Sequence, residues 1–231
     1  MNNFLGNLPT ITKNLLIINV LLFLATLAFE PLYGLLGVFY PDSPNFKVWQ
    51  VISYMFMHGG IGHIFFNMFA LVMFGSVIEN VLGQKKFFNY YFICGLGALV
   101  LQYGVQAFEV FQITNTIMPW HKYGTAFMNN LTMEQADVIS SIYRTPLVGA
   151  SGAIYGLLLA YGYLFPNAEL MLIFLPVPIK AKYFIPILIV IEVVLGFSSS
   201  GSSIAHLAHV GGALFGFILL KVWGIRRTNY Y

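Results

Sequence analysis

The segment Gly149–Gly156, with the sequence GASGAIYG, contains two glycines four residues apart, at positions 152 and 156. The same spacing recurs in the segment HVGGALFG, residues 209–216, between Gly212 and Gly216. Glycines at this spacing share one face of a helix and let a second helix backbone approach closely. We therefore predict that the two helices that begin near these segments pack directly against each other.

The composition around these segments is that of a membrane protein. Of the 231 residues, 58% are hydrophobic and only 8% are charged, whereas a soluble domain typically carries about 25% charged residues. A soluble domain, a disordered chain and a nucleic-acid-binding protein are therefore excluded. The single cysteine, Cys94, excludes a disulfide framework and a cluster of thiolate metal ligands.

Stretches with few or no charged residues are long enough to cross a bilayer, which takes about 20 residues. They predict an all-α membrane protein in which residues 1–231 form a single domain of six transmembrane helices. Residues 106–146 are predicted to be a long outer loop, and Glu30–Gly60 a first outer loop that lies in the membrane interface. The predicted helices are Ile11–Phe29, Ile61–Leu82, Phe87–Val105, Leu147–Phe165, Tyr183–Phe197 and Ile204–Trp223.

The basic residues predict the orientation. Six crossings place both termini on one side, and Lys and Arg concentrate in cytoplasmic segments. With both termini in the cytoplasm, eight basic residues lie inside and three outside, so we expect a multi-pass protein of the cell (inner) membrane in that orientation. The inside residues are Lys13, Lys85, Lys86, Lys180, Lys182, Lys221, Arg226 and Arg227, and the outside residues are Lys47, Lys122 and Arg144.

Four polar residues interrupt the apolar spans at one depth. His63 and Asn67 are one turn apart on the second predicted helix, Ser151 lies about four residues into the fourth, and His209 about five residues into the sixth. These even-numbered helices all start from the outside, which places Ser151 and His209 roughly 6–8 Å below the outer surface. Polar groups without partners are costly in a membrane, so their convergence predicts a functional site.

The chemistry of this site depends on Ser151 and His209, which adjoin the two glycine pairs. Close packing of their helices brings the hydroxyl within hydrogen-bond reach of the imidazole, the usual base for a serine nucleophile. Glu192 is placed beyond the middle of its helix, as a buried residue with a partner, and Glu79 at the inner end of the second helix. No carboxylate is therefore expected beside His209, and the pattern predicts a Ser–His dyad rather than a triad.

Donors for an oxyanion are available at the same depth. Ser151 begins a helix, where backbone N–H groups are free and the dipole is positive. His63 and Asn67, one turn apart, can add side-chain donors. Tyr155 lies one turn below Ser151 and is predicted either to pack against the His209 ring and hold its orientation or to be an ordinary core residue.

Three motifs, taken in chain order, resemble those of the rhomboid family of intramembrane serine proteases. The resemblance implies a six-helix rhomboid-like bundle in which Ser151 is the nucleophile and His209 the general base and then acid. It also implies an oxyanion hole formed by His63, Asn67 and the Ser151 amide, and a substrate that is itself a transmembrane helix, cut near its outer end. The motifs are His63-x-x-x-Asn67, Gly149-x-Ser151-Gly152 and Ala208-His209-x-x-Gly212-x-x-x-Gly216.

The same resemblance makes Glu79 with Gly83 a structural feature at the inner end of the second helix. Trp49-Gln50 stands where many members have Trp-Arg, so any role of that arginine in the first outer loop has no direct counterpart. The long segment 106–146 exceeds the minimal core of the family and receives no role.

Three other classes of protein compete with a protease. A metal or haem protein would use His58, His63, His206 and His209, but neutral metal sites usually recruit carboxylates or thiolates as well. A channel or transporter would show inverted repeats or several intramembrane charges. A non-catalytic rhomboid-like protein that binds membrane clients is expected to lack the serine or the histidine. We accordingly expect membrane proteins and the bilayer as partners and no metal, cofactor or nucleic acid; the oligomeric state is left open.

Overall fold

The computed structural model describes residues 4–172, 175–198 and 203–226, most of which are helical. A π-helical turn, Leu71–Gly75, joins the fourth and fifth α-helices into one stretch. The elements in chain order are α1 (Thr10–Ala28), α2 (Pro31–Leu36), α3 (Gln50–Ser53), α4 (Ile61–Ala70), α5 (Ser76–Leu82), α6 (Gln84–Thr114), α7 (Pro119–Tyr123), α8 (Met133–Arg144), α9 (Ser151–Leu164), β1 (Glu169–Leu172), β2 (Leu175–Lys180), α10 (Ala181–Ser198) and α11 (Ser203–Val222).

Among the described residues, three helical segments are long and apolar enough to cross a membrane. They are α1, the α4–α5 stretch Ile61–Leu82, and the segment Gln84–Asn130, which begins with α6. Helix α9 and residues His206–Val222 of α11 are shorter apolar helices. The chain is therefore a helical membrane protein.

The predicted boundary between the third helix and the outer loop 106–146 is wrong. Helix α6 continues to Thr114, nine residues beyond the predicted end at Val105. No glycine or proline interrupts residues 106–114, and the helix ends where Asn115 adopts a left-handed conformation. Helices α7 and α8, with a 3-10 segment between them, occupy most of the remainder.

The predicted start of the fourth helix at Leu147 is also wrong. Leu147 exchanges two backbone hydrogen bonds with Val38, of 3.0 and 2.8 Å. It so forms an antiparallel bridge with residues 30–60, the predicted first outer loop, which we call the first outer segment. Gly149 follows with a φ of 130°, which a helix does not permit. Helix α9 consequently begins at Ser151, four residues after the bridge at Leu147.

Close contact between α9 and α11 confirms the packing that the glycine pairs predict. A Cβ atom on Gly212 would lie only 1.9 Å from the Gly152 carbonyl oxygen, and one on Gly216 would lie 3.2 Å from the Cα of Gly156. A side chain at Gly212 would therefore push the two backbones apart. This contact fixes the distance between the two helices that carry Ser151 and His209.

Glu79 has a structural role at the start of α1. Its carboxylate accepts hydrogen bonds from the backbone N–H groups of Ile11 and Thr12, at 2.9 and 2.7 Å, and from the Thr12 hydroxyl at 2.8 Å. The first N–H groups of a helix have no acceptor within it, and a carboxylate there also complements the helix dipole. Glu79 is buried and fixes α1 to α5.

Gln50 stabilises the first outer segment from within. Its side-chain amide is buried and donates to the carbonyl groups of Gly34 and Asn45, at 3.3 and 3.2 Å. Its side-chain oxygen accepts from the N–H of Lys47 at 2.9 Å. Gln50 therefore connects three points of this segment, Gly34, Asn45 and Lys47.

Asp42 connects the first outer segment to residues 106–146. It is fully buried and accepts hydrogen bonds from the Trp120 N–H at 2.7 Å, the His121 N–H at 3.2 Å and the Tyr143 hydroxyl at 2.6 Å; the His121 ring also contacts it. Burial, together with Asp42, raises the pKa of Tyr40 to about 12 and raises that of Tyr143. Hydrogen bonds and a small apolar cluster therefore hold the two outer segments together.

An antiparallel hairpin, which the hydrophobic pattern did not predict, joins α9 to α10. Strands β1 and β2 pair Glu169 with Lys180 and Leu170 with Ile179. Residues 170–179 form a short apolar run in the sequence, and periodicity alone does not distinguish strand from helix in such a run.

Candidate active site

Ser151 occupies the first position of α9, and its surroundings are fixed by backbone contacts. The N–H of Gly149 donates to the Tyr54 carbonyl at 2.9 Å, which anchors the turn before the helix. A Cβ atom at Gly149 would lie 2.9 Å from the His63 Nε2 atom, so only glycine fits both the space and the positive φ. The Ser151 side chain therefore lies at a helix N-terminus beside an imidazole from α4.

His209 lies beside Ser151, as the sequence predicts. The distance from its Nε2 atom to the Ser151 Oγ atom is 2.8 Å. The Tyr155 ring stacks on the imidazole, with ring centres 4.3 Å apart and planes within 5°. Of the two predicted alternatives for Tyr155, the structure places it against the histidine.

Glu192 also lies beside His209, so the expectation that no carboxylate is present is wrong. Its Oε2 atom is 2.9 Å from His209 Nδ1 and 2.7 Å from His206 Nδ1, and the Tyr155 hydroxyl donates to its Oε1 atom. Glu192 is only 7% exposed. The site therefore contains a carboxylate that is hydrogen-bonded to two histidines and a tyrosine.

The depth of Glu192 explains the error. Helix α10 continues to Ser198, so Glu192 lies six residues before its end; His209 lies six residues after the start of α11 at Ser203. Both are roughly 9 Å from these helix ends. Counting back from the C-terminal end of this helix, instead of forward from its start, places Glu192 at the depth of His209 from the sequence alone.

Contacts on both sides define the proton positions of His209. Its Nδ1 atom faces a carboxylate, which only accepts hydrogen bonds, so Nδ1 carries the proton. In the neutral ring, Nε2 then has a free lone pair and accepts a hydrogen bond from the Ser151 hydroxyl. This is the arrangement in which a histidine can remove the proton of a serine.

His63 and Asn67 line the same cavity from α4. The N–H of Gly59 donates to His63 Nδ1 at 3.3 Å, so the ring proton lies on Nε2, which faces the turn at Gly149. The Nδ2 atom of Asn67 is buried and has no hydrogen-bond partner among the described residues. Among the described residues, the Asn67 Nδ2–H is thus an unused donor in the cavity that Ser151 also lines, and the His63 Nε2–H faces the turn before Ser151.

The cavity at this site has a volume of about 340 Å³. Its walls come from α4, α6, α9 and α11 and from residues 147–149, and they are mostly apolar. Such a cavity, with a few convergent polar groups, is typical of a binding or active site. The polar and histidine residues that line it are Tyr54, His63, Asn67, Ser151, Tyr155 and His209.

His58 is buried just outside the cavity. Its ring lies edge-on to that of His63, with centres 5.0 Å apart. Burial, and then the neighbouring His63, lower the pKa of His58 to about 4. The ring is therefore neutral at physiological pH and supports His63 by packing.

Glu192, His206 and His209 also have ligand atoms within 4.8 Å of one another, a spacing at which a divalent metal ion can be bound. The same groups already satisfy one another, because two Nδ1–H groups and the Tyr155 hydroxyl donate to a single carboxylate. The Glu192 carboxylate and the Nδ1–H groups of His206 and His209 therefore have hydrogen-bond partners without a metal ion.

The fold and site define a helical membrane protein with a serine–histidine pair at the N-terminus of a buried helix. Residues 45–225 match the Rhomboid domain. The chain belongs to the rhomboid family.

Three relatives illustrate the similarity. The chain is 31% identical to the mitochondrial RHOMBOID-like protein 12 of Arabidopsis thaliana, over 73% of this chain and 45% of that protein. It is 26% identical to the mitochondrial Rhomboid protein 1 of Saccharomyces cerevisiae, over 78% of this chain and 42% of the relative, and 26% identical to the Rhomboid protease GluP of Bacillus subtilis, over 79% and 27%. The chain thus spans less than half the length of these relatives.

Proposed function

We propose that this protein is an intramembrane serine endopeptidase, in which Ser151 is the nucleophile and His209 the general base. The observation that carries the proposal is the 2.8 Å contact between Ser151 Oγ and His209 Nε2. One relative, from Bacillus subtilis, is named a protease. The stacked Tyr155 ring supports the histidine in this role.

The reaction proceeds in two stages. His209 Nε2 takes the proton of Ser151 as Oγ attacks the peptide carbonyl carbon, and then donates it to the departing amine as the C–N bond breaks. The product is an acyl-enzyme on Ser151. Water, deprotonated by His209, attacks the ester, and the proton returns to Oγ as the second product leaves.

The negative charge on the tetrahedral oxygen is stabilised by donors that are present before the reaction. We assign this role to the Nε2–H of His63, the Nδ2–H of Asn67 and the backbone N–H of Ser151. Preorganised donors in a dry site stabilise developing charge more than they stabilise a neutral carbonyl. Gly149 and Gly152 support the site by permitting the turn and the close helix contact.

The substrates are proposed to be transmembrane segments of other proteins, cut near their outer ends. The substrate class is what the resemblance to intramembrane proteases implies. The outer position of the cut rests on six proposed crossings, formed by α1, α4–α5, α6, α9, α10 and α11, with both termini in the cytoplasm. Eight basic residues lie on the cytoplasmic side in this orientation and three on the other. We assign the protein to the cell (inner) membrane on the same argument.

The proposal is tested by labelling the purified protein in detergent with a fluorophosphonate, which reacts with activated serines. We expect modification at Ser151, lost in Ser151→Ala and His209→Ala and unaffected by a metal chelator. An intact, folded protein that is not labelled would instead favour a non-catalytic rhomboid that binds membrane clients.

A further inference from the structure

Glu192 is in an environment that a purely structural residue does not require. It lies in a membrane helix, where a carboxylate is costly unless it is paired or functional. Its three hydrogen-bond donors come from two other helices: Tyr155 from α9, and His206 and His209 from α11. The exposed residues of α10 nearest to Glu192 in the chain are apolar, and they include Val190, Ile191 and Val194.

The hydrogen bonds of this cluster fit one negative charge, which lies on Glu192. An ionised Glu192 accepts from Nδ1–H of a neutral His206 and from Nδ1–H of a neutral His209 at Oε2, and from the Tyr155 hydroxyl at Oε1. Every group then has a partner. When His209 takes the proton of Ser151, its positive charge arises next to this carboxylate, where the low dielectric strengthens the attraction.

We propose that Glu192 is the third member of a Ser151–His209–Glu192 triad, an inference that rests on the proposed protease function. Glu192 is a positioning residue: it holds the proton of His209 on Nδ1, orients the ring toward Ser151 and stabilises the imidazolium. No proton is transferred to it. The bonds from His206 and Tyr155 hold the carboxylate itself in place.

The geometry separates the two oxygens by role. Oε2 lies between the two Nδ1 atoms, whereas Oε1 faces the hydroxyl of the ring that stacks on His209. Tyr155 thus contacts both members of the pair, one through its ring and one through its hydroxyl. The stacked Tyr155 ring limits tilting of the His209 imidazole, and the bond to Glu192 limits its rotation within the ring plane.

The experiment measures fluorophosphonate labelling of Ser151 in the full chain, separating the maximal rate of inactivation, kinact, from the half-saturating concentration, KI. In Glu192→Gln the shape is kept and the charge removed, so we expect kinact to fall at least about tenfold while KI stays within about twofold. Glu192→Asp keeps the charge on a shorter side chain and should recover part of the loss. A merely structural role would instead change KI and the melting temperature.

Glu79→Gln provides a matched control, because it also removes a buried carboxylate from a membrane helix. Glu79 contacts α1 and does not line the cavity at Ser151. This variant should therefore melt at a lower temperature but keep its kinact. If Glu192→Gln cannot be purified folded, Tyr155→Phe replaces it; this variant keeps the stacked ring, loses the bond to Oε1 and should lower kinact.

Three results would overturn the triad. The first is a wild-type kinact in Glu192→Gln or, where it is used, in Tyr155→Phe; the second is a Glu192→Asp variant as slow as Glu192→Gln. The third is labelling of the wild-type protein that a chelator abolishes, because Glu192, His206 and His209 would then be metal ligands. Absence of labelling in the wild-type protein would contradict the proposed function itself and is thereby distinguished from these outcomes.

Discussion

His209 has a contact on each side of its ring system, and each contact limits a different motion. Ser151 and Glu192 bond its two nitrogens, and Tyr155 covers one face. His206, one turn earlier on the same helix, bonds the same carboxylate oxygen but is more exposed, at 26% of its side chain against 15% for His209. Position relative to Ser151, rather than residue type, therefore distinguishes the two histidines.

We predict that His209→Ala abolishes fluorophosphonate labelling, because the only base bonded to the Ser151 hydroxyl among the described residues is then removed. His206→Ala should keep most of the labelling rate, because each carboxylate oxygen of Glu192 still has a donor, His209 at Oε2 and Tyr155 at Oε1. Tyr155→Phe differs, because it removes the donor at Oε1. Labelling rates of the two variants, with melting temperatures as a check on folding, measure this difference. The opposite ranking would place the base one turn farther out.

Loss of an oxyanion donor has a different signature. Asn67→Ala and His63→Ala should each slow cleavage of a transmembrane reporter about 10²–10³-fold, the range typical for one preorganised donor, while Ser151 still reacts with a fluorophosphonate. The buried, unpartnered Nδ2 atom of Asn67 is the specific reason to expect this. Wild-type turnover in both variants would return these residues to a role in helix packing.

At the scale of the helices, the α9–α11 contact determines whether the site can form. Gly212→Ala should lower the stability by about 1–3 kcal/mol, the usual range for overpacking, and should also slow labelling, because the backbones that carry Ser151 and His209 must separate. Melting temperature and labelling rate are the two measurements. An unchanged protein would show that the helices separate without consequence.

Gly104→Ala is the matched control for this variant. Gly104 lies in α6, and a Cβ atom there would meet no other atom within 4 Å. Alanine is the better helix former by about 1 kcal/mol, so this variant should be as stable as the wild type or slightly more stable.

Local spacing made part of this arrangement predictable. The glycine pairs and the serine and histidine beside them lie within short segments, so their packing and the Ser151–His209 contact follow from helix periodicity. Glu192 was missed because its partners come from two other helices and its depth was counted from the start of its helix instead of from the end. Asp42 was missed for the same reason, since its partners are 78–101 residues away in the chain.

At the scale of the whole molecule, the orientation of the protein in the membrane can be tested. We predict that a tag inserted within residues 106–146 is accessible from outside intact cells, whereas tags on either terminus are not. The reasons are the eight-to-three distribution of basic residues and the even number of proposed crossings. Protease protection of the tags provides the measurement, and an accessible C-terminus would reverse the assignment of the outer side.

The position of Glu192 on α10 has a consequence for biosynthesis. Helix α10 emerges from the ribosome before α11, which supplies two of the three donors to its carboxylate. A lone carboxylate at that depth resists integration, so α10 and α11 are expected to enter the bilayer as a pair. The nascent chain then gains the proposed base and the partner of that base in one step, and the proposed site is incomplete until α11 has entered the bilayer.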